Sequence, residues 1–562
     1  MAHVPTETQA SPGGSFLYSI PPSIFTPEDF DAESLLMVQT AKQFMLGEVM
    51  PLLPRLDQQE ENLMPSLVKK ACELGFGGAE TPQEFGGLGL PKTLGTRILE
   101  MLSLDGAFST TFGVQMGIAQ QPIVLFGSRE QKRKYLPLLT SGEWIGAYAL
   151  SEPNSGSDAL SMTTSAQYDE NTRAYLLTGT KMWISNAKWA NLFIVFAKIS
   201  GEHITCFLVE RSFPGLTVGR EEHKVGQKAS STARLVLDRT PVSEENILYQ
   251  KGEGHRVAFN ALNLGRLKLG AMALGQAREA IRVATRYAKE RKQFGKPLSH
   301  FGLIREKLAK MSAWFYASES ILYRTAGLVD KAFQAVPLNA PEEEQVNSNL
   351  CAAQEYQIEC SLTKVLCSET LSLCADEALQ IHGGYGYTEE FPVGRIWRDA
   401  RVTRIYEGTN EINRLFISTR VQRKNLYTPL LSASPTVPAH AYLISSAQSA
   451  EQALQNEPSD IQQILSALSD LVILTYAQQS TRLRAQQAAL RSSPWAPFLQ
   501  ACSDLFTFHS TLLAQARALE IQYRCQGSPR SPKTPEPDLP LPHDAEETIV
   551  QTLLEKEAYP LE

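Results

Sequence analysis

Residues 174–187, AYLLTGTKMWISNA, and residues 191–200, NLFIVFAKIS, decide how this chain is organised. Both are short runs of β-branched and aromatic residues, and both stop at small polar turn formers. HITCFLVE (203–210) and STARLVLD (231–238) have the same character. Together they predict a small antiparallel β domain over residues 146–255. On either side the pattern is helical. Residues 26–145 open with TPEDFDAESLLMVQTAKQF, where Thr26 suits an N-cap, Pro27 the first helical position and the acids the first turn. The helical period returns at Arg256 and runs to about residue 430. Helices, then strands, then helices again indicate separate layers, an α+β and mainly α fold, rather than a parallel α/β sheet.

Residues 334–347, QAVPLNAPEEEQVN, read as an exposed loop between two long helices. Residues 431–562 form a fourth part, with helix candidates in SAQSAEQALQ, DIQQILSALSDLVILTYAQQ and FLQACSDLFTFHSTLLAQARAL. A Pro-rich linker is expected at 527–542. The acidic segment DAEETIVQTLLEKEAY follows it and is expected to fold back as a helix.

The chain has 562 residues, 43% hydrophobic and 20% charged, a length that suits about three domains. A net charge of -7 gives no field to draw nucleic acid. No apolar run is long enough for a transmembrane helix. The extension carries few basic residues and an acidic Pro-rich end, which argues against a membrane role. No Lys or Arg precedes Lys42, so neither a signal peptide nor a transit peptide is expected. A cytoplasmic, bacterial-type protein is the expectation, or a mitochondrial one only for a processed chain. Cys360, Cys367 and Cys374 recur every seven residues and suit a buried helix face. Neither metal nor disulfide is expected.

Several segments suggest chemistry. AYALSEPNSGSDALS (147–161) runs a strand into a turn that can present backbone N–H groups and the hydroxyls of Ser151, Ser155 and Ser157. KMWISNA places Trp183 beside Ser185, where a planar ligand could pack. ERKQFGKPL (290–298) sets Arg291 at a helix end, suited to phosphate or to simple capping. QIHGGYGYTEEFP carries Gly383 and Gly384 after a helix, without the GxGxxG arrangement of a Rossmann site. RIYEGTNEINRLF (404–416) isolates one carboxylate, Glu407, before a Gly-Thr pair.

YALSEPNSGSD, KMWISN, ERKQFGKPL, QIHGGYGYTEEFPVGRIWRDAR and RIYEGTNEI, in this order, resemble the signature segments of the acyl-CoA dehydrogenase family over residues 30–420. The trailing helical region is most similar to the very-long-chain branch. The resemblance implies an N-terminal helical domain, a central β domain and a C-terminal four-helix bundle. It also implies FAD held between subunits of a homodimer, an acyl-CoA substrate, and electron-transferring flavoprotein as acceptor. Carried over by motif, Tyr148, Leu150, Ser151, Ser157, Trp183 and Ser185 would line the flavin. Arg291, Gln293 and Phe294, with Gln380, Gly383 and Gly384, would reach the FAD of the neighbouring subunit. Thr409 and Glu411 would close over the FAD, while Ser157, Asn263, Arg266 and Gly408 would meet the acyl-CoA.

Glu407 would be the base that removes the α-proton of the thioester while the β-hydrogen leaves as hydride. Burial should raise its pKa toward neutrality. One branch of the family carries the base at the position of Gly265, where glycine cannot serve. Gly113 and Gly117 in FSTTFGVQMGIAQQP would deepen the acyl pocket for long chains. The alternatives are an acyl-CoA oxidase, and a catalytically idle member serving as an assembly scaffold.

Overall fold

The computed structural model describes residues 12–337, 340–454, 460–526 and 542–560. The N-terminal part is helical, with α1 (Ala32–Phe44), α2 (Leu63–Glu73), α3 (Lys92–Met101), α4 (Gly106–Met116) and α5 (Arg129–Thr140). Thr26 caps only a short turn, Pro27–Asp29. Phe30 then leaves in extended conformation, so α1 starts later and is capped by Asp31, whose side chain accepts from Ser34 N–H.

Eight strands follow: β1 (Gly146–Ala149), β2 (Ser165–Asp169), β3 (Ala174–Ser185), β4 (Leu192–Ile199), β5 (His203–Glu210), β6 (Leu216–Glu221), β7 (Thr232–Ser243) and β8 (Ile247–Leu248). They pair in the order β6-β7-β3-β2-β4-β5-β8, with β1 added to β4. Most pairings are antiparallel, as expected, but β1 runs parallel to β4 and β2 meets the end of β4 in parallel. The reason is connectivity: the β2–β3 hairpin intervenes between β1 and β4, and parallel neighbours need such a crossover. The period-2 pattern explains why the sheet has two apolar faces. Ile194 and Phe196 join the core shared with the helices, whereas Phe193 and Val195 join a separate core with Phe207 and Val209.

Four helices then form a bundle: α6 (Gly254–Glu290), α7 (Gly302–Gln334), α8 (Gln357–His382) and α9 (Asn410–Arg423). Cys360, Cys367 and Cys374 are buried on α8, and burial pushes their thiols above the usual range. The loop expected at 334–347 is shorter in the structure. Glu342–Glu355 is helical, because Glu342, Glu343 and Glu344 fall in a first turn, where acids oppose the positive end of the helix dipole.

The extension adds α10 (Pro438–Leu454), α11 (Ile461–Leu490), α12 (Ala496–Gln526) and α13 (His543–Lys556). The linker expected at 527–542 lies, but for Pro542, outside the described residues. The acidic segment does fold back as a helix: α13 packs on α7 and α12, and the fully buried Tyr559 stacks between Phe315 and Phe498 at 4.5 and 5.5 Å.

Charge is also buried here. Glu319 of α7 meets Arg97 of α3, Arg278 of α6 and Arg484 of α11 at 3.1, 2.7 and 2.9 Å. Glu100 and Glu28 supply the remaining carboxylates. Three guanidiniums thus face three carboxylates at the junction of N-terminal part, bundle and extension, which is what makes their desolvation tolerable.

Candidate active site

Glu407 sits in the turn between Arg401–Arg404 and α9, with left-handed backbone (φ 58°), and Gly408 continues it at φ 76°. Two successive left-handed residues would normally be costly, so the turn needs support. Asn413 Nδ2 donates to the carbonyls of Gly408 (2.8 Å) and Thr409 (3.0 Å), and Lys364 Nζ donates to Gly408 O at 2.8 Å. Arg266 Nε reaches Glu407 O at 3.5 Å. Thr409 acts as the N-cap of α9, its hydroxyl accepting from Ile412 N–H at 3.2 Å. Glu411, in the first turn of α9, is exposed.

The carboxyl of Glu407 points at Gly265. A β-carbon added there would stand 2.9 Å from Glu407 Oε2. The glycine that cannot be a base is therefore the reason a base can lie here. Oε2 is buried and has no hydrogen-bond partner among the described residues. Burial pushes the carboxyl up to about 7, against the pull of Arg266 and Lys364. Arg266 is itself buried, donating to Asn263 Oδ1 at 3.2 Å and Ser361 Oγ at 3.1 Å, with its guanidinium 4.9 Å from the Phe416 ring.

A cavity of ≈ 270 Å³ opens against this carboxyl. Its walls bring together Tyr148, Leu150, Ser151 and Ser157 from the turn after β1, Trp183 and Ser185 from β3, and Arg266 and Gly408. Thr110, Gly113 and Gly117 close one side, and Lys268, Leu269 and Met272 of α6 the other. The turn after β1 is anchored by Glu152, buried against Lys181 at 2.8 Å and taking N–H bonds from Thr163 and Thr164. Burial alone would raise its carboxyl; Lys181 and these donors bring it down to about 2. Trp183 lies in an irregularity of the β3–β7 register with φ 61°, a bulge that turns its indole outward to 57% exposure at the cavity rim.

Asn263 is held behind Arg266 rather than on the cavity. The remaining candidates form a second surface. Arg291 lies over the Tyr385 ring at 5.3 Å, which brings the 291–294 hairpin beside Gln380, Gly383 and Gly384 at the end of α8. Phe294 and Tyr387 are 92% and 88% exposed there. None of these residues lines the cavity.

Some participants were not picked out from the sequence. Lys364 and Lys268 each stand alone in an apolar helical run, SLTKVLC and LGRLKLGA, and a lone lysine in such a run is the signal that would have found them. Tyr406 and Met272 have no such mark.

Models of the acyl-CoA dehydrogenase N-terminal, middle and C-terminal domains match residues 31–143, 147–240 and 252–422. The chain belongs to the acyl-CoA dehydrogenase family. A probable acyl-CoA dehydrogenase of Bacillus subtilis is 41% identical over 506 residues, 85% of either chain. The human mitochondrial very long-chain specific acyl-CoA dehydrogenase is 40% identical over 356 residues, 62% of this chain and about half (51%) of its own length. Among solved structures, an acyl-CoA dehydrogenase from Bacillus anthracis complexed with FAD superposes with a TM-score of 0.91 at 37% identity, covering 98% of this chain and all of that one. The four-helix extension is therefore shared with that family member. Butyryl-CoA dehydrogenase from Megasphaera elsdenii, at 32% identity and TM-score 0.63, covers 70% of this chain.

Proposed function

We propose that the chain is an FAD-dependent acyl-CoA dehydrogenase that oxidises long-chain acyl-CoA to trans-2-enoyl-CoA with Glu407 as its base. The buried Glu407 oxygen without a partner, aimed into the cavity, carries this reading. Nothing in the fold satisfies that atom, and the α-proton of a bound thioester would. A carboxyl at about 7 is near the optimum for proton abstraction at neutral pH.

The residues also fit the cofactor. The indole of Trp183 is half exposed, no ring stacks on it among the described residues, and the hydroxyls of Ser151, Ser157 and Ser185 border the same rim. Trp183 would hold one face of the isoalloxazine, and the serines its polar edge. Bound FAD supplies the acceptor for the β-hydrogen, taken as hydride. The chain does the rest. Gly408 allows the thioester to approach the backbone, and Glu407, kept in its left-handed turn by Arg266, Lys364 and Asn413, removes the proton. Leu269, Met272 and the glycine-lined side of α4 enclose the acyl tail and exclude water.

The second surface fits a role between subunits. Phe294 and Tyr387, exposed beside Arg291, are suited to meeting a second copy of the chain, so that Arg291, Gln293, Gln380, Gly383 and Gly384 reach that copy's FAD in a homodimer. Electron-transferring flavoprotein is the acceptor the family resemblance implies.

The test is anaerobic mixing with palmitoyl-CoA and octanoyl-CoA, following flavin absorbance in wild type and Glu407→Gln. Rapid bleaching, faster with palmitoyl-CoA and lost in the variant, is expected. Bleaching by neither substrate refutes the activity, and preference for octanoyl-CoA refutes the chain length. Peroxide released in stoichiometric amounts on aerobic turnover would establish the oxidase instead.

A further inference from the structure

The far side of the catalytic cavity is closed by charge. Lys268, one helical turn beyond Gly265 on α6, lines the cavity, and its Nζ lies 2.5 Å from Glu80 Oε1. Both side chains are almost wholly buried. Glu80 in turn lines a different space, an outer cleft of ≈ 1100 Å³ between the N-terminal part and the end of α7, with Phe85, Leu90, Val124 and Phe333 on its walls. One ion pair thus separates the two spaces.

The pair is built rather than incidental. Glu80 also holds Lys92 Nζ at 2.7 Å, and Gly95 leaves room for the carboxyl, since a β-carbon there would stand 2.4 Å from Glu80 Oε1. On the cavity side Gly117 makes the equivalent room, where a β-carbon would stand 3.2 Å from Lys268 Cδ.

We infer that the Lys268–Glu80 pair is a chain-length gate, a specificity determinant at the end of the acyl cavity. In its place an apolar tail meets an ammonium whose stem, but not its head, is a suitable neighbour. A tail that ends short of Lys268 leaves the pair intact. A longer one must part Lys268 from Glu80 and continue into the outer cleft, which Phe85, Leu90, Val124 and Phe333 make apolar enough to hold it. Parting is feasible because Lys92 stays on Glu80, so the carboxylate is not left buried alone. The energetic step at the gate would therefore set where activity falls off with chain length.

This inference rests on the acyl-CoA reading of the cavity, and the experiment separates the two. Saturated acyl-CoAs of eight to twenty carbons are assayed with the FAD-loaded full chain, in wild type, Lys268→Ala, Lys268→Met and Glu80→Gln. The readout is the ratio of kcat/KM for stearoyl-CoA to that for octanoyl-CoA. Lys268→Ala is expected to raise the ratio at least fivefold and move the fall-off to longer chains. Lys268→Met keeps the bulk without the charge, packs as a conservative core residue, and should raise the ratio less. Glu80→Gln, which frees Lys268 to move, should change it in the same direction. A ratio unchanged within twofold in Lys268→Ala and Lys268→Met, or lowered in both, overturns the gate. No turnover of any acyl-CoA by wild type overturns the reading of the cavity itself.

Discussion

Glu407 shows how much one position owes to its neighbours. Glu407→Gln should lower kcat about 10²–10⁴-fold, the usual contribution of general-base catalysis, while FAD content and palmitoyl-CoA binding persist. Because its carboxyl is raised to about 7, kcat/KM should climb with pH and level off above that value. The same shift has a stability sign. A group raised by burial contributes fully below its unfolded value and loses that contribution as pH rises through about 7, so Glu407→Gln should gain thermal stability over wild type at pH 8 and not at pH 4. Gly265→Ala should cut kcat/KM at least tenfold without loss of FAD, since its methyl would meet the base at 2.9 Å. The identity of the carboxylate was legible from its motif. The shape of its surroundings was not, because Gly265, Lys364 and Asn413 reach it only through tertiary packing.

At the scale of elements, the turn that carries Glu407 and the helix that follows are one device. Thr409→Ala should cost about 1 kcal/mol of stability through loss of the α9 cap, and should slow turnover more than it weakens acyl-CoA binding, a contrast measurable by steady-state kinetics beside chemical denaturation. The strands were legible because alternation has one reading when both faces of a sheet are covered. Their parallel contacts were not, since pairing partners depend on where the β2–β3 hairpin lies. The acidic run before α8 misled for a local reason: Glu342–Glu344 look like a solvated loop until Pro341 is seen to start a helix. Trp183 was legible as an aromatic near a cofactor, but the bulge that exposes it leaves no trace in composition.

Across the whole molecule, the extension and the bundle share one core. Tyr559→Ala should destabilise the protein by about 3–5 kcal/mol, the cost of deleting a large buried aromatic, and should do so in one cooperative transition if bundle and extension unfold together. Separate transitions in calorimetry would show that they do not. The helices of the extension were legible from their spacing, but their docking was not, because Glu319, Arg97, Arg278 and Arg484 are far apart in sequence and each alone looks like a surface charge. Their meeting has a consequence for synthesis. Glu319 leaves the ribosome with its α3 and α6 arginines already made, while Arg484 is still more than one hundred and sixty residues away. Until it arrives, the nascent bundle has an excess carboxylate and an uncovered apolar flank on α7. Such a chain is a natural client for a chaperone during translation, and a release from the ribosome before α11 would leave a product marked for proteolysis rather than a smaller enzyme.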